Sequence, residues 1–149
     1  MNIKEELHAK SIVFVNTKLA TIEKVISSNQ KALESETKSS AGDKHETGRA
    51  MLQLEMEKVS QQFLVVNQMK DTLHKIDVEK TVEVVCLGAV VETNIANYFI
   101  SVSVGELKIG SKKYYAVSTS SPIGKLLLGK RIDNEVVFNN RTIKIKNIL

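Results

Sequence analysis

The chain has few of the residues that break or crosslink a polypeptide: its 149 residues include one proline, one cysteine and seven glycines. Scarce proline and glycine argue against long disordered segments, which are usually rich in both. With a single cysteine, Cys86, an intrachain disulfide is impossible, and a reducing compartment fits. Cys86 lies in an apolar, strand-like segment, so we expect a buried and unreactive thiol.

Long apolar runs are also missing. The longest run, VVCLGAVV, is far shorter than the roughly 20 residues that a membrane-spanning helix needs. The N-terminal MNIKEELHAK carries acidic residues and no apolar core, unlike a secretory signal peptide. These features predict a soluble, cytoplasmic protein with no membrane partner.

Residues for several kinds of chemistry are scattered or absent. His8, His45 and His74 share no metal-ligand spacing with one another or with Cys86, so no zinc site is expected. The sequence has no phosphate-binding glycine loop, nucleophile elbow or histidine-containing triad. We therefore expect no tightly bound cofactor.

The positive charge is concentrated in the second half of the chain. Residues 1–78 hold 11 Lys and Arg and 11 Asp and Glu, whereas residues 79–149 hold 10 and 6, so that 10 − 6 accounts for the net charge of +4. This excess favours an acidic partner, protein or nucleic acid, although an ordinary solvated surface also explains it.

The first half carries two apolar stripes with heptad spacing, which is typical of coiled coils. In each stripe, one position of the heptad pattern holds a polar residue, Asn29 in the first and Lys70 in the second. The apolar members are Ile12, Val15, Leu19, Ile22, Ile26 and Leu33, and then Leu52, Met56, Val59, Phe63, Val66 and Leu73. With glycine only at the break between them, the stripes predict an antiparallel two-helix coiled-coil hairpin over residues 1–78. At 1.5 Å per residue, each arm is roughly 45 Å long.

In residues 79–149 the apolar period changes to two, which indicates strands. Five strands are predicted, in TVEVVCL, YFISVSV, KYYAVS, EVVFNN and TIKIKNI, with an Asn-Asn turn before the last. Ser121 as N-cap, Pro122 at the first helical position and Gly129 after the last turn predict one short helix. Tyr114 and Tyr115 should face opposite sides of a strand. The fold class is α+β, with a domain boundary near residue 78.

The segment SSAGDKHETGRA, residues 39–50, separates the two stripes. Asp43 could cap the second helix, with Glu46 closing a capping box three residues later. Two carboxylates one turn apart at a helix N-terminus could also share a Mg²⁺ ion with groups of another molecule. Both roles stay open from the residues alone.

Two motifs resemble the Gre-type transcript cleavage factors of bacterial RNA polymerase. GDKHE, residues 42–46, is similar to the family's G-D-x-x-E and lies in the predicted tip of the hairpin, residues 42–47. SSPIGKLLLGKRIDNEVVF is similar to the family's S-P-I-G-x-x-L-[LI]-G-K-x-x-G-D-x-V segment. The order, a coiled coil followed by a small FKBP-like β-rich domain, also matches, and the resemblance covers most of the chain.

The resemblance implies an elongation factor that is not an enzyme by itself. The domain of residues 79–149 would dock on RNA polymerase, with Ser121, Pro122 and Ile123 on or near the docking surface. The hairpin would enter the secondary channel, where nascent RNA and DNA are contacted. There Asp43 and Glu46 would help to hold the second Mg²⁺ and the attacking water for cleavage of backtracked RNA. A monomer is expected.

The chain departs from the family pattern near the tip. A further acid usually follows the second one by three residues, but Arg49 occupies that position, and the family's Asn and Tyr are absent. Asp133 and Asn134 stand where the family has Gly-Asp. An alternative is therefore a Gre-like polymerase-binding regulator or inhibitor that does not stimulate cleavage.

Two further hypotheses come from other classes of protein. An FKBP-like domain could be a prolyl isomerase, but such an activity needs an aromatic-lined apolar pocket. The second half offers only five aromatic residues for it, Tyr98, Phe99, Tyr114, Tyr115 and Phe138. Alternatively, the coiled coil could be a scaffold that dimerises between chains.

Overall fold

The structure, a computed structural model, describes residues 2–38 and 43–149, and the side chains of residues 36–38 and 43–45 lie outside that description. Two long helices come first, α1 (Ile3–Lys38) and α2 (Asp43–His74). They are followed by β1 (Val90–Thr93), β2 (Asn97–Ser101), β3 (Gly105–Ile109), β4 (Lys112–Ser118), α3 (Pro122–Leu127), β5 (Glu135–Phe138) and β6 (Arg141–Ile148). The predicted fold class, a helical hairpin followed by a small β-rich domain, is confirmed.

The chain divides into two compact units. One is Val15–Gln68, and the other combines Met1–Phe14 with Met69–Leu149. The ends of both long helices therefore belong to the same unit as the sheet, because packing rather than sequence period defines a compact unit. The predicted boundary near residue 78, between 1–78 and 79–149, stays a prediction about which part folds independently.

Within the unit Val15–Gln68, the two predicted stripes supply the buried side chains. Five stripe members within this unit are less than a tenth exposed: Val15, Leu19, Ile22, Val59 and Val66. A helix in water cannot bury side chains to this degree on its own, so the stripes pack together as a coiled-coil seam. Asn29 also lies in this seam at 7% exposure, and its Nδ2 has no hydrogen-bond partner among the described residues.

The β-rich unit contains one mixed six-stranded sheet, in the order β3-β4-β2-β1-β6-β5. Neighbouring strands are antiparallel except for β2 and β4, which are parallel. Asn139 and Asn140 have φ values of 52° and 63°, which is the left-handed geometry of a type I′ hairpin turn. The predicted Asn-Asn turn between β5 and β6 is thus confirmed.

The strand prediction was wrong for TVEVVCL, which forms bends and a turn, whereas β1 and β3 were missed. Its apolar residues are nevertheless used: Val85 is 2% exposed and exchanges backbone hydrogen bonds with Gly129 and Lys130. Apolar alternation reports burial, and burial does not require a continuous ladder. Gly88 has a φ of 91°, and a Cβ there would lie 2.9 Å from Cγ2 of Ile76. The turn before β1 therefore depends on glycine.

The two faces of the sheet carry separate apolar clusters, as adjacent residues on one strand show. Val91 and Ile100 belong to the cluster that includes Ile123 and Leu127 of α3. Their neighbours Val90 and Phe99 belong to the opposite cluster, together with Leu7 of α1. The sheet is thus covered by α3 on one face and by the first turns of α1 on the other.

Tyr114 and Tyr115 divide between core and surface as predicted. Tyr114 is fully buried, whereas Tyr115 is 38% exposed and its ring centroid lies 6.3 Å from that of Tyr98. The hydroxyl of Tyr114 has no hydrogen-bond partner among the described residues. Burial, and to a lesser extent the negative charge of Glu92, raise the pKa of Tyr114 above its usual value of 10.0.

Replacing Tyr114 with Phe should therefore stabilise the protein by about 1 kcal/mol, because it removes a buried hydroxyl that has lost its water. In the native protein the folded state keeps this proton at a pH where the unfolded chain has released it, so stability should fall as pH rises above 10.0. The free energy of unfolding of the variant should decrease less than that of the native protein as the pH rises above 10.0, because Tyr114 no longer contributes to the decrease. Urea unfolding between neutral pH and pH 11 measures both effects, and Tyr115→Phe is the matched control. Equal stability of Tyr114→Phe and the native protein would contradict the expectation.

None of the helices within residues 2–38 and 43–149 combines the length and apolar character that a bilayer crossing requires. Cytoplasmic localisation stays a prediction.

Candidate functional site

The break between the two long helices contains the predicted tip, residues 42–47. α1 ends at Lys38 and α2 begins at Asp43, so Asp43 and Glu46 both fall in the first turn of α2. Glu46 is exposed. The side chain of Asp43 lies outside the described residues, as do residues 39–42, so the capping box stays a prediction. Carboxylates in this position complement the positive end of the helix dipole.

Arg49 lies one helical turn after Glu46, and both side chains are exposed. Residues three apart on a helix share one face, so the tip presents charges of both signs there. Arg49 also continues the heptad spacing of the seam, since Leu52 follows three residues later and Met56 four after that. A solvated arginine in a seam position adds nothing to coiled-coil packing. Its presence is therefore not explained by stability.

Ser121 and Pro122 form the start of α3 as predicted. The Ser121 hydroxyl accepts a hydrogen bond from the Gly124 N–H at 3.0 Å and donates one to the Ser118 carbonyl at 2.7 Å. Pro122 occupies the first turn and is exposed. The helix ends with Leu128 as C-cap, and Gly129 follows at a φ of 80°. Every helix-capping residue predicted for this segment is confirmed in its position.

Ile123, the third predicted docking residue, is only 7% exposed and packs in the core beside Leu127. Its side chain therefore packs α3 against the core and is not available for contact with a partner. Docking by Ser121, Pro122 and Ile123 stays a prediction, of which only the first two residues reach the surface.

An exposed patch around α3 was missed by the sequence reasoning. Leu126 is 36% exposed and Ile132 46% exposed, and the exposed Lys125 and Arg131 are their sequence neighbours. The sequence KLLLGKRI could have indicated this patch, because three consecutive leucines cannot all face the core when only one side of the helix is buried. Exposed apolar side chains surrounded by polar ones are typical of a protein-binding surface, which has an apolar core and a polar rim.

Lys4 is a buried cation that was also missed. It is 6% exposed, and its Nζ donates a 2.6 Å hydrogen bond to the carbonyl of Lys80. Burial lowers the pKa of Lys4, against the opposing influence of Cys86 and Asp77. The signal was its helical spacing from the buried Leu7, which extends the buried face of α1 towards its start.

The prediction for Cys86 was wrong, because its thiol is exposed and its segment is not a strand. The alternation that placed it in a strand ends in the turn before β1. Among the described residues, no three His, Cys, Asp or Glu side chains come together in a way that could hold a metal ion. His8 instead makes a 2.7 Å hydrogen bond between its Nε2 and the carbonyl of Leu73.

The aromatic residues of the β-rich unit do not form a pocket for a prolyl isomerase. Phe99 and Tyr114 are fully buried, and Tyr98 and Phe138 pack against the core. A cavity of about 150 Å³ lies beside Lys4, and no aromatic side chain lines it. Because isomerase pockets need aromatic walls, nothing in the described part of the chain favours that activity.

Comparison with solved structures finds chains similar to this one. This chain is similar to a solved structure of the transcription factor Gfh1, with 19% sequence identity over 93% of this chain and 92% of that chain, at a TM-score of 0.37. A score this low assigns neither fold nor function to this chain. No protein-family model matches the sequence, and no curated protein matches it.

Proposed function

We propose that this protein is a transcription elongation factor that binds RNA polymerase and stimulates the cleavage of backtracked nascent RNA. The observation that carries the proposal is the position of GDKHE at the break between the hairpin helices, with Asp43 and Glu46 in the first turn of α2. Fold alone would not support a function, since one fold hosts many. Support comes from these two carboxylates and from the resemblance of the α3 segment to the Gre-type transcript cleavage factors.

In this role the two carboxylates act on a site that the polymerase completes. Mg²⁺ prefers oxygen ligands and usually keeps several waters, so one or two added carboxylates can complete its shell. In two-metal hydrolysis, one ion activates the attacking water and the other stabilises the leaving oxygen. Asp43 and Glu46 would help to hold the second ion and to orient the water. This chain by itself would then have no nuclease activity.

Docking would use the surface at α3. Ser121 and Pro122 lie at its exposed start, and Leu126 and Ile132 add apolar contact area that Ile123 cannot provide. With the docking surface on the β-rich unit and the carboxylates on the hairpin, one monomer suffices for binding and stimulation in the cytoplasm. Nascent RNA and DNA would be contacted within the elongation complex.

The test is cleavage of nascent RNA in a stalled, backtracked polymerase complex, with and without this protein. We expect shortened RNA only when polymerase and this protein are both present. The double variant Asp43→Asn, Glu46→Gln should lower the stimulated rate by about 100-fold or more, because it removes both carboxylate charges from the metal. Raising the Mg²⁺ concentration should recover part of the loss.

The matched control is Glu55→Gln, Glu57→Gln, which removes the same charge from exposed positions further along α2. It should cleave at the native rate. If the tip variant cleaved as fast as this control, the assignment of Asp43 and Glu46 would be wrong. Binding to polymerase is measured separately, so that lost docking is not mistaken for lost chemistry.

The alternative, a polymerase-binding regulator without cleavage stimulation, is favoured by one observation. Arg49 places an exposed positive charge one turn from Glu46, where it competes with a metal ion for the carboxylate. Slower RNA synthesis with no cleavage at any Mg²⁺ concentration would support this alternative over the main proposal.

A further inference from the structure

One end of the sheet collects cations from three different strands. Lys108 lies at the end of β3, Lys112 and Lys113 begin β4, and Arg141 and Lys144 lie in the first half of β6. All five are exposed, and they are half of the ten Lys and Arg in residues 79–149. We call these five residues the basic rim.

Strand pairing places the basic rim at a single end of the sheet. Lys108 pairs with Lys113 across β3 and β4, and the side-chain amide of Asn97 donates to the Lys113 carbonyl at 3.5 Å. On the other side, the N–H of Asn94 donates to the carbonyl of Lys144 at 3.2 Å. β3 and β6 are four strand spacings apart in the sheet order, so the rim spans roughly 19 Å.

Two of the five cations are paired with carboxylates set back from the rim. Lys113 lies 3.3 Å from a carboxylate oxygen of Glu106, and Lys112 lies 4.0 Å from one of Glu92. All these pairs are exposed or half-exposed, so they contribute little to stability. They neutralise part of the positive charge of the rim and leave three of its five cations outside these pairs.

The other three cations, Lys108, Arg141 and Lys144, have no carboxylate oxygen within ion-pair distance in the described part of the chain. Lys108 also stands directly across from Lys113, and like charges in that relation destabilise a sheet. A bound ligand with regularly spaced negative charge would lower the repulsion between these two lysines. The pair therefore favours binding of a polyanion.

Exposed amides lie among the cations of the rim. Asn94, Asn139 and Asn140 are exposed amides in turns at this end of the sheet. Apolar residues nearby include Val137 on β5, which is 65% exposed, and Ile95 and Tyr115, which are each 38% exposed. Cations with amides beside them suit phosphate groups, because both donate hydrogen bonds to phosphate and sugar oxygens.

We propose that the basic rim binds the phosphate backbone of nucleic acid, through Lys108, Arg141 and Lys144 in particular. The amides would contribute hydrogen bonds to sugar and phosphate oxygens, so the binding would be independent of sequence. The net charge of +4, all of it in residues 79–149, would draw the ligand to this unit. The proposal needs no polymerase and goes beyond the proposed function.

The experiment measures fluorescence anisotropy of a labelled single strand of about 16 nucleotides, and of the matching duplex, between about 50 and 200 mM salt. We expect the triple variant Lys108→Gln, Arg141→Gln, Lys144→Gln to bind at least about tenfold more weakly at low salt. The slope of log affinity against log salt should fall by about two to three, one unit or less for each lost phosphate contact.

The matched control is Lys125→Gln, Lys130→Gln, Arg131→Gln, which removes the same three charges at the α3 end. It should change affinity less than threefold. Equal losses in the two triple variants would mean that only net charge matters and would overturn the proposal, as would absence of binding by the native protein at low salt. Binding to vesicles of anionic phospholipid that depends on the same rim residues would also overturn it. Because no polymerase is present, failure here leaves the cleavage assay unaffected.

Discussion

Replacing Gly124 with alanine is expected to destabilise the β-rich unit by about 3 kcal/mol or more. A Cβ at this position would overlap the carbonyl oxygen of Ser118 and lie 2.8 Å from the Ser121 hydroxyl, which is the N-cap of α3. The obstacle is backbone, so it cannot move aside as a flexible side chain would. The substitution therefore displaces α3 or breaks its cap, and the loss of a cap alone costs about 1 kcal/mol.

Local helix propensity predicts the opposite sign for this substitution, because alanine is favoured over glycine inside a helix by about 1 kcal/mol. Urea unfolding followed by circular dichroism separates the two expectations. Gly110→Ala is the control: its φ is 62° and a Cβ there would meet nothing within 4 Å, so it measures left-handed strain alone, about 1–2 kcal/mol. Native-like stability of Gly124→Ala would show that the carbonyl of Ser118 does not confine this position.

The second large effect is expected for Leu7→Ala, at a cost of about 3 kcal/mol. Leu7 is fully buried among Val90, Phe99, Tyr114 and Ala116, and it is the fully buried residue that α1 contributes to this face of the sheet. Truncation removes buried apolar area and leaves a cavity that strands held by their own hydrogen bonds cannot collapse to fill. With total stabilities of about 5–15 kcal/mol for such proteins, this is a large share.

Val13→Ala on the same helix is the matched control, because Val13 is 65% exposed. It should change stability by no more than about 0.5 kcal/mol. Urea unfolding gives the free energies, and amide exchange reports whether protection is lost first in the opening turns of α1. A cost below about 1 kcal/mol for Leu7→Ala would mean that α1 is not essential for covering this face.

The hairpin and the start of α3 could be predicted because their signals are local. Heptad spacing determines which side of a helix is apolar, and the buried Val15 and Val59 follow that spacing. Ser121 and Pro122 are favoured at a helix start by chemistry that involves only the next few residues, as the Ser121–Gly124 hydrogen bond shows. The start of α2 was likewise expected near Asp43, and the helix begins there. Capping by Asp43 and Glu46 stays a prediction.

Features that depend on distant parts of the chain could not be read in this way. Whether Val85 lies in a strand depends on which backbone is beside it, and its partners Gly129 and Lys130 are more than forty residues away. The prediction that Cys86 lies buried in a strand was wrong for the same reason. Ile123 was expected on or near the surface because a sequence motif identifies residues but not the direction in which their side chains point.

The change from helical to alternating periodicity, the capping residues of α3, the glycine-bearing break with its two carboxylates, and the location of the positive charge after residue 78 could all be read from the sequence. These follow from spacing and composition, which act within a few residues along the chain. Only the tertiary structure decided that Leu7 of α1 covers the sheet, that Gly124 has no room for a side chain, and that cations from β3, β4 and β6 meet at one end. The physical reason is that packing and strand register join residues far apart in sequence, and the hydrophobic effect that drives this association has no direction of its own.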